Sequence, residues 1–200
     1  MTSGNRIAAS RVLAALLLAV GIGWPVSGAA GWSLEELMQS MRQVKTTRAK
    51  FIERKYLAIL NAPLEFSGTL VYIAPRRLEK HTLLPKAESM ILDQEMLTLE
   101  SKEKSQRRTI ALQEHPVIWA FVEGIRSTLA GDLETLNRFY RISPEGGESK
   151  WRLVLKPVEP DMQRVVSEIR ISGGGSRISV IEIIETEGDR SIMTIVQDTP

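Results

Sequence analysis

The stretch FSGTLVYIAPRRLEKHTLLP, residues 66–85, has the pattern of two antiparallel strands joined by a tight turn. Successive side chains of a strand point to opposite faces of its sheet. Apolar side chains fall on both faces of the first strand: Phe66, Leu70 and Tyr72 on one face, Val71 and Ile73 on the other. One of these faces is therefore expected to look into an enclosed interior, and the other needs partial cover from elsewhere in the chain.

The first thirty residues have the features of a secretory signal peptide. Arg6 and Arg11 precede an apolar run over 12–23, and small residues at 28–30 offer a cleavage site. We therefore expect 1–30 to be removed and the protein to be exported to the periplasm; an uncleaved N-terminal anchor is the alternative. The whole chain has 26 basic and 24 acidic residues, so losing two arginines leaves 24 of each and no net charge. Such a balance argues against a nucleic-acid partner.

The remaining segment, 31–200, is expected to form a single domain dominated by β-strands. Short stretches of period two recur between tight turns, which favours antiparallel neighbours. The predicted strands are 47–57, 66–73, 77–83, 88–93, 96–101, 107–112, 138–143, 150–157, 164–172, 177–186 and 191–197. About eleven strands in one sheet are expected to curl into a closed or nearly closed barrel.

Two or three helices interrupt this pattern, the third being a further turn of helix in DLETLN (132–137). Ser33 and Glu36 have the spacing of a capping box ahead of an apolar stripe that includes Leu37 and Met41. The second helix is predicted over 116–130, with Pro at its start and Gly131 just beyond its end. Because it is apolar around most of its circumference, it is expected to be packed on nearly all sides, as a lid or plug of the barrel.

The residue types needed for catalysis are missing or scattered. There is no Cys, the two histidines lie 34 positions apart, and no G-x-S-x-G motif occurs. His115 is expected to cap the second helix. The glycine-rich segment 172–176 leads into a strand, whereas a phosphate-binding loop leads into a helix. We therefore expect a protein that is not an enzyme and that uses no cofactor or metal ion.

Several segments together carry a resemblance to a known family. They are LEELMQSMRQVKTTRAKFIER (34–54), the 66–85 stretch, ESMILDQEMLTL (88–99), HPVIWAFVEGI (115–125) and WRLVLKPVE (151–159). Over about 33–197 the chain resembles the LolA-type periplasmic lipoprotein carriers, as a divergent member. Where those carriers have an arginine that ties down a closed lid, this chain has Ala74, and Lys80 stands near the place of a family aromatic.

The resemblance implies an unclosed antiparallel β-barrel of about eleven strands with a helical lid, as in LolA and LolB. A hydrophobic cavity between barrel and lid would hold the acyl chains of a lipoprotein or lipid. The residues expected to line it are Leu37, Met41, Phe51, Phe66, Leu70, Tyr72, Leu78, Met90, Leu92, Leu97, Trp119, Phe121, Val122 and Ile125.

The function that the resemblance implies is shielding of lipidated cargo on its way to the outer membrane. An inner-membrane donor and an outer-membrane acceptor would then be partners of a monomeric carrier. A lipid- or lipoprotein-sensing adaptor that does not shuttle between membranes is the alternative on the same fold. A hydrolase or transferase acting on acylated substrates is disfavoured because the nucleophile set is missing.

Overall fold

The computed structural model describes residues 32–197, so the predicted signal peptide lies outside the described residues. Eleven strands are present: β1 (Thr46–Tyr56), β2 (Leu64–Ile73), β3 (Arg77–Leu84), β4 (Glu88–Asp93), β5 (Met96–Ser101), β6 (Gln106–Ala111), β7 (Tyr140–Gly147), β8 (Lys150–Pro157), β9 (Val166–Gly174), β10 (Arg177–Glu185) and β11 (Arg190–Gln197). The helices are α1 (Leu34–Arg42), α2 (Pro116–Ala130), α3 (Leu133–Phe139) and α4 (Pro160–Gln163).

All eleven strands belong to one antiparallel sheet in the order β6-β5-β4-β3-β2-β1-β11-β10-β9-β8-β7. The first and last strands of the chain pair at its centre, where Phe51 lies opposite Ile195. Strands β6 and β7 are the two edges, and the chain passes from one to the other through α2 and α3. The predicted unclosed barrel with a helical cover is therefore confirmed.

Helix α1 begins with the predicted capping box. The Ser33 hydroxyl accepts a hydrogen bond from the Glu36 main-chain N–H at 3.1 Å, and the Glu36 carboxylate accepts one from the Ser33 N–H at 3.0 Å. Both interactions satisfy main-chain donors that have no partner within the helix. The apolar stripe of α1 then packs inward, with Leu37, Met38 and Met41 fully buried.

Helix α2 has the predicted bounds, and its end is built around Gly131. This residue has φ +64°, and a Cβ there would lie 2.1 Å from the main-chain oxygen of Met38 in α1. Glycine thus allows α2 to finish against α1, and Arg42 Nε donates to the Gly131 oxygen at 2.9 Å. The expected cap by His115 is wrong in one respect: it occupies the N-cap position, but its side chain makes no capping hydrogen bond.

Several local features differ from the sequence prediction; for example, β2 begins at Leu64 and β9 spans Val166–Gly174. The segment of helix α4 is expected from sequence to be part of a connection, but Pro160 begins a helix there and the Glu159 carboxylate caps it by accepting from the Met162 N–H at 2.8 Å. Strand β7 begins at Tyr140 and not at 138, because the helix α3 extends through Phe139. A four-residue helix gives too short a periodic pattern to detect from sequence.

The buried apolar residues form two clusters on the helix-covered side of the sheet. The larger joins all four helices to strands β7–β10 and includes Trp151, Leu153, Leu155 and Ile171. The smaller joins α2 to strands β4–β6 and consists of Leu92, Leu97, Ile110, Leu112 and Val122. On the opposite, convex face, Ile73 is 41% exposed, so the outer apolar residues of β2 are only partly covered.

Candidate functional site

The predicted strand residues of the site share one face of the sheet. Leu78 of β3 pairs with Tyr72 on one side and with Leu92 on the other, and Leu92 pairs with Leu97. Paired residues of antiparallel strands lie on the same face, as do residues two apart. The concave face therefore carries all eight predicted strand residues: Phe51, Phe66, Leu70, Tyr72, Leu78, Met90, Leu92 and Leu97.

A cavity of about 180 Å³ lies between the concave face and α2. Seven of the predicted site residues line it: Met41, Leu70, Tyr72, Leu78, Met90, Phe121 and Ile125. Further apolar lining residues were not predicted. Most come from the end of α2 and from the last two strands: Leu129, Ile178, Ile181, Ile183, Met193 and Ile195. The others are Val44, Ala49 and Val71. Strands β10 and β11 reach the cavity because β11 pairs with β1 at the centre of the sheet.

The other seven predicted residues do not line the cavity in this structure. Leu37 belongs to the larger buried cluster, and Phe51 is fully buried under the Lys80 ammonium. The centroid of the Phe66 ring lies 5.3 Å from Lys55 Nζ. The remaining four, in or against the smaller cluster, are Leu92, Leu97, Trp119 and Val122. That cluster is filled by the first half of α2, so a ligand would reach these four only if α2 moved; their contact with cargo stays a prediction.

A buried ion pair in the cavity wall was not predicted. Glu53 of β1 is only 4% exposed, and its carboxylate contacts the Lys80 ammonium of β3. The second carboxylate oxygen accepts a hydrogen bond from Ser191 Oγ at 2.7 Å and lies 3.9 Å from Lys55 Nζ. The signal in the sequence was the position of Glu53 two residues after Phe51, which places both on the same face.

Glu53 is held in its ionised form. Burial alone would raise the pKa of its carboxyl, but the attraction of Lys80, the hydrogen bonds from Lys80 and Ser191, and the charge of Lys55 outweigh burial and leave the pKa lowered. Lys80 Nζ in turn lies 5.1 Å from the centroid of the Phe51 ring, a favourable position for a cation. The apolar cavity thus contains a fixed pair of opposite charges.

A second, polar concavity adjoins the cavity. This cleft of about 780 Å³ lies along β3–β6 and shares Lys80 and Met90 with the cavity. Its other lining residues are mainly polar or charged: Thr82, Glu88, Ser89, Leu99, Glu100, Ser101, Ser105, Gln106, Arg107 and Arg108. The apolar space and the polar space therefore meet at Lys80.

Helix α2 contains a buried polar network that the apolar sequence pattern concealed, and one further polar contact joins it to β7. Glu123 is 2% exposed and accepts hydrogen bonds from Trp119 Nε1 and Ser127 Oγ, each at 3.0 Å, and from the Arg126 guanidinium. Under the same helix, Tyr140 Oη donates to the Ala120 oxygen at 2.8 Å. Burial, and then the charge of Glu123, raise the pKa of the Tyr140 hydroxyl, so it remains a donor.

Tyr72 has an unusual hydroxyl. It is the only buried side-chain polar atom among the described residues that lacks a hydrogen-bond partner. Burial also raises the pKa of this phenol. An unpaired buried hydroxyl costs about 1–3 kcal/mol of folding free energy, so the position of Tyr72 in the cavity wall is destabilising.

The sequence was compared with models of known families. The model described as "outer membrane lipoprotein carrier protein LolA-like" matches residues 26–197. The chain belongs to this LolA-like family. Comparison with curated proteins gave no match. Within the described part of this LolA-like chain, no helix is both long and apolar enough to cross a membrane.

Solved structures of similar fold include a LolA superfamily protein from Nitrosomonas europaea, at 9% identity and TM-score 0.44, covering 84% of this chain and 95% of that one. A lipoprotein-sorting protein domain from Vibrio parahaemolyticus gives 8% identity and TM-score 0.45, with 82% and 89% covered. MucB in complex with MucA(peri) gives 11% identity and TM-score 0.38, with 84% and 56% covered. At these scores the likenesses add nothing to the assignment, which rests on the family match.

Proposed function

We propose that this LolA-like protein is a periplasmic carrier that shields the acyl chains of lipoproteins or lipids for transfer towards the outer membrane. The observation that carries the proposal is the cavity between the concave face and α2, whose walls are mostly apolar and include the buried Glu53–Lys80 pair. The family match gives the proposal its class of cargo. The function needs binding and release and no chemical step.

The energy available for such binding is large. Burying a CH₂ group contributes about 0.8 kcal/mol, so a chain with about fifteen of them gains on the order of 12 kcal/mol. Part of this gain must be spent on opening the protein, since the cavity of about 180 Å³ is smaller than the ~300–1,000 Å³ of typical ligand pockets. We expect cargo to displace α2 from β4–β6, which shifts the population from a closed empty state to an open loaded one.

The proposal also covers the leader, the domain organisation and the partners. Residues 1–30 direct the chain to the periplasm and are removed, and 31–200 act as one domain. A donor at the inner membrane and an acceptor at the outer membrane then load and unload a monomeric carrier. Under the alternative, a sensing adaptor, cargo would bind in the same cavity but would not be passed on.

The proposal is tested by identifying the native cargo. The mature protein is purified from its own cell envelope under mild conditions, and co-purifying molecules are identified by mass spectrometry. Acylated molecules in near-stoichiometric amount are expected, and a preparation free of them would contradict the proposal. Loaded protein is then mixed with outer-membrane vesicles, because delivery of cargo separates the carrier from the adaptor.

A substitution in the cavity wall tests whether cargo binds there. Phe121 projects from α2 into the cavity, so Phe121→Glu puts a charge among apolar walls and is expected to abolish binding of acylated cargo. Leu83→Glu is the matched control, because Leu83 is 59% exposed and does not line the cavity. Circular dichroism checks that both variants keep the β-rich fold. Equal loss of binding in both variants, or in neither, would remove α2 from the site.

A further inference from the structure

Lys80 occupies the border between the two concavities. Its side chain lines both the apolar cavity and the polar cleft and is 21% exposed. Lys80 pairs with Leu70 and Glu53 pairs with Phe66, so the two charged side chains meet across β2 near Gly68. At Gly68 the main chains of β2 and β3 approach closely, since a Cβ there would lie 1.9 Å from the His81 main-chain oxygen. The ammonium is thus fixed at the point where an acyl chain in the cavity would emerge into the cleft.

The charges around this point leave a positive excess. The single carboxylate of Glu53 lies between the ammonium groups of Lys80 and Lys55. In the cleft the acids Glu88 and Glu100 are matched by two arginines, Arg107 and Arg108, so the cleft residues other than Lys80 contribute no net charge. Glu79, the other acid along the cavity, is paired with Arg77 at 2.7 Å and bonded to His81.

The Lys80 ammonium also has unused hydrogen-bonding capacity. It carries three N–H donors, and Glu53 is the only hydrogen-bond acceptor it has among the described residues. The Phe51 ring covers one side of it. Hydrogen bonds from an ammonium to an anion are roughly twice as strong as those between neutral groups, and they gain further where water is scarce. An anionic group next to Lys80 would therefore be favoured over a neutral one.

We infer that the cargo is an amphiphile with an anionic head, whose acyl chain lies in the cavity and whose carboxylate or phosphate is bound by Lys80 at the border with the cleft. Glu53 and Ser191 act as positioning residues that hold the ammonium there. This inference rests on the proposed carrier function and narrows its cargo to acidic lipids. If the Glu53–Lys80 pair served only to join β1 to β3, the affinity for cargo would not depend on the charge of the head group.

The test compares the affinities of amphiphiles that share a palmitoyl chain and differ in their head group. The three competitors are palmitate, 1-palmitoyl-lysophosphatidate and the neutral 1-palmitoylglycerol. Each displaces the neutral fluorescent probe N-phenyl-1-naphthylamine from the mature protein. All measurements use one fixed salt concentration and stay below the micelle concentration of each amphiphile. We expect at least one anionic competitor to bind about tenfold more tightly than the neutral one. Preference for palmitate alone assigns a carboxylate, and preference for lysophosphatidate alone assigns a phosphate.

Variants of the pair give effects of opposite sign. Lys80→Met should reduce the preference for the anionic head to about one. Glu53→Gln should increase it several-fold, because the competing carboxylate is gone while Lys80 remains. The double variant Glu53→Gln, Lys80→Met leaves no buried charge unpaired, so it tests the same loss of preference if Lys80→Met does not fold. Lys156→Met, on the convex face of β8, is the control and should keep the wild-type preference.

The outcomes separate the inference from the function on which it rests. If all three amphiphiles bind equally to the wild type, the anionic head is overturned and the carrier remains. If neither the probe nor any amphiphile binds, the carrier proposal fails and the inference fails with it. A preference that survives in both Lys80→Met and the double variant assigns the selectivity to other residues and also overturns the inference.

Discussion

Arg126 Nη1 of α2 donates a hydrogen bond to the main-chain oxygen of Gln94, 2.5 Å away in the turn between β4 and β5. The same guanidinium contacts the buried carboxylate of Glu123, so one side chain ties the helix to the sheet and neutralises a charge beneath it. Arg126 is thus a direct polar connection between α2 and the strands beneath it.

Replacing Arg126 is predicted to loosen α2. Arg126→Met leaves the Glu123 carboxylate buried without its cation, and breaking such a pair costs about 3–5 kcal/mol. Urea unfolding should show this loss, and a fluorescent acyl probe should enter the cavity faster than in the wild type. Arg138→Met is the control, since its pair with Glu134 is exposed and contributes at most ~1 kcal/mol. Equal free energies of unfolding in the two variants would contradict the role of Arg126 in holding α2 against the sheet.

The close approach of α2 to β7 depends on Gly124. A Cβ at this position would lie 2.9 Å from Tyr140 Oη and 3.0 Å from two ring carbons, and Tyr140 is fully buried. Gly124→Ala should therefore destabilise the fold by about 1–3 kcal/mol, although alanine favours a helix by about 1 kcal/mol. Thermal unfolding measures the effect. A Cβ at Gly147 would have no neighbour within 4 Å among the described residues, so Gly147→Ala should be nearly neutral; a similar loss there would exclude the steric explanation.

The Glu53–Lys80 pair predicts how stability depends on pH. The pKa of Glu53 is lowered by folding, so its contribution to the free energy of unfolding is present above the ordinary value of 4.5 and is lost as the pH falls through the folded value. Glu53→Gln should be less stable than the wild type by about 3–5 kcal/mol at pH 7. Urea unfolding from pH 7 to pH 3 should show this difference shrinking below about pH 4.5; a constant difference would contradict the prediction.

The unpaired Tyr72 hydroxyl gives a prediction of the opposite sign. Tyr72→Phe removes a buried polar atom that has no partner among the described residues, so the free energy of unfolding should rise by up to about 1–3 kcal/mol. Tyr140→Phe is the contrasting variant, because the Tyr140 hydroxyl donates to the Ala120 oxygen, and its removal should destabilise. Both are measured by urea unfolding. Loss of stability in Tyr72→Phe would show that its hydroxyl has a partner after all.

Local patterns predicted much of this fold because they act over a few residues. Alternation along the strands identified the concave face, and Pro116 and Gly131 marked the bounds of α2. The pairing of β1 with β11 joins residues far apart in the chain, so no local pattern contains it. Without that pairing, the lining residues of the last two strands could not be assigned to the cavity.

The charged part of the site escaped prediction for a different reason. Glu53 and Lys80 stand among other charged residues, as solvated side chains also do: Lys80 lies between Glu79 and His81. Only the contact of Glu53 with Lys80 across β2 reveals that the two side chains face inward. Likewise, Glu123 lies in an apolar helix whose most buried side includes polar residues that satisfy one another. Pairing between side chains distant in sequence decides such cases, and residue type alone does not.

Strands β6 and β7 leave the barrel unclosed. Within the described residues no ladder of main-chain hydrogen bonds joins these two edge strands. A closed barrel has a circumference fixed by its strand number and stagger. Without that closure, sheet hydrogen bonds do not fix the distance between the two edges, so a wider interior would not require any strand pair to break.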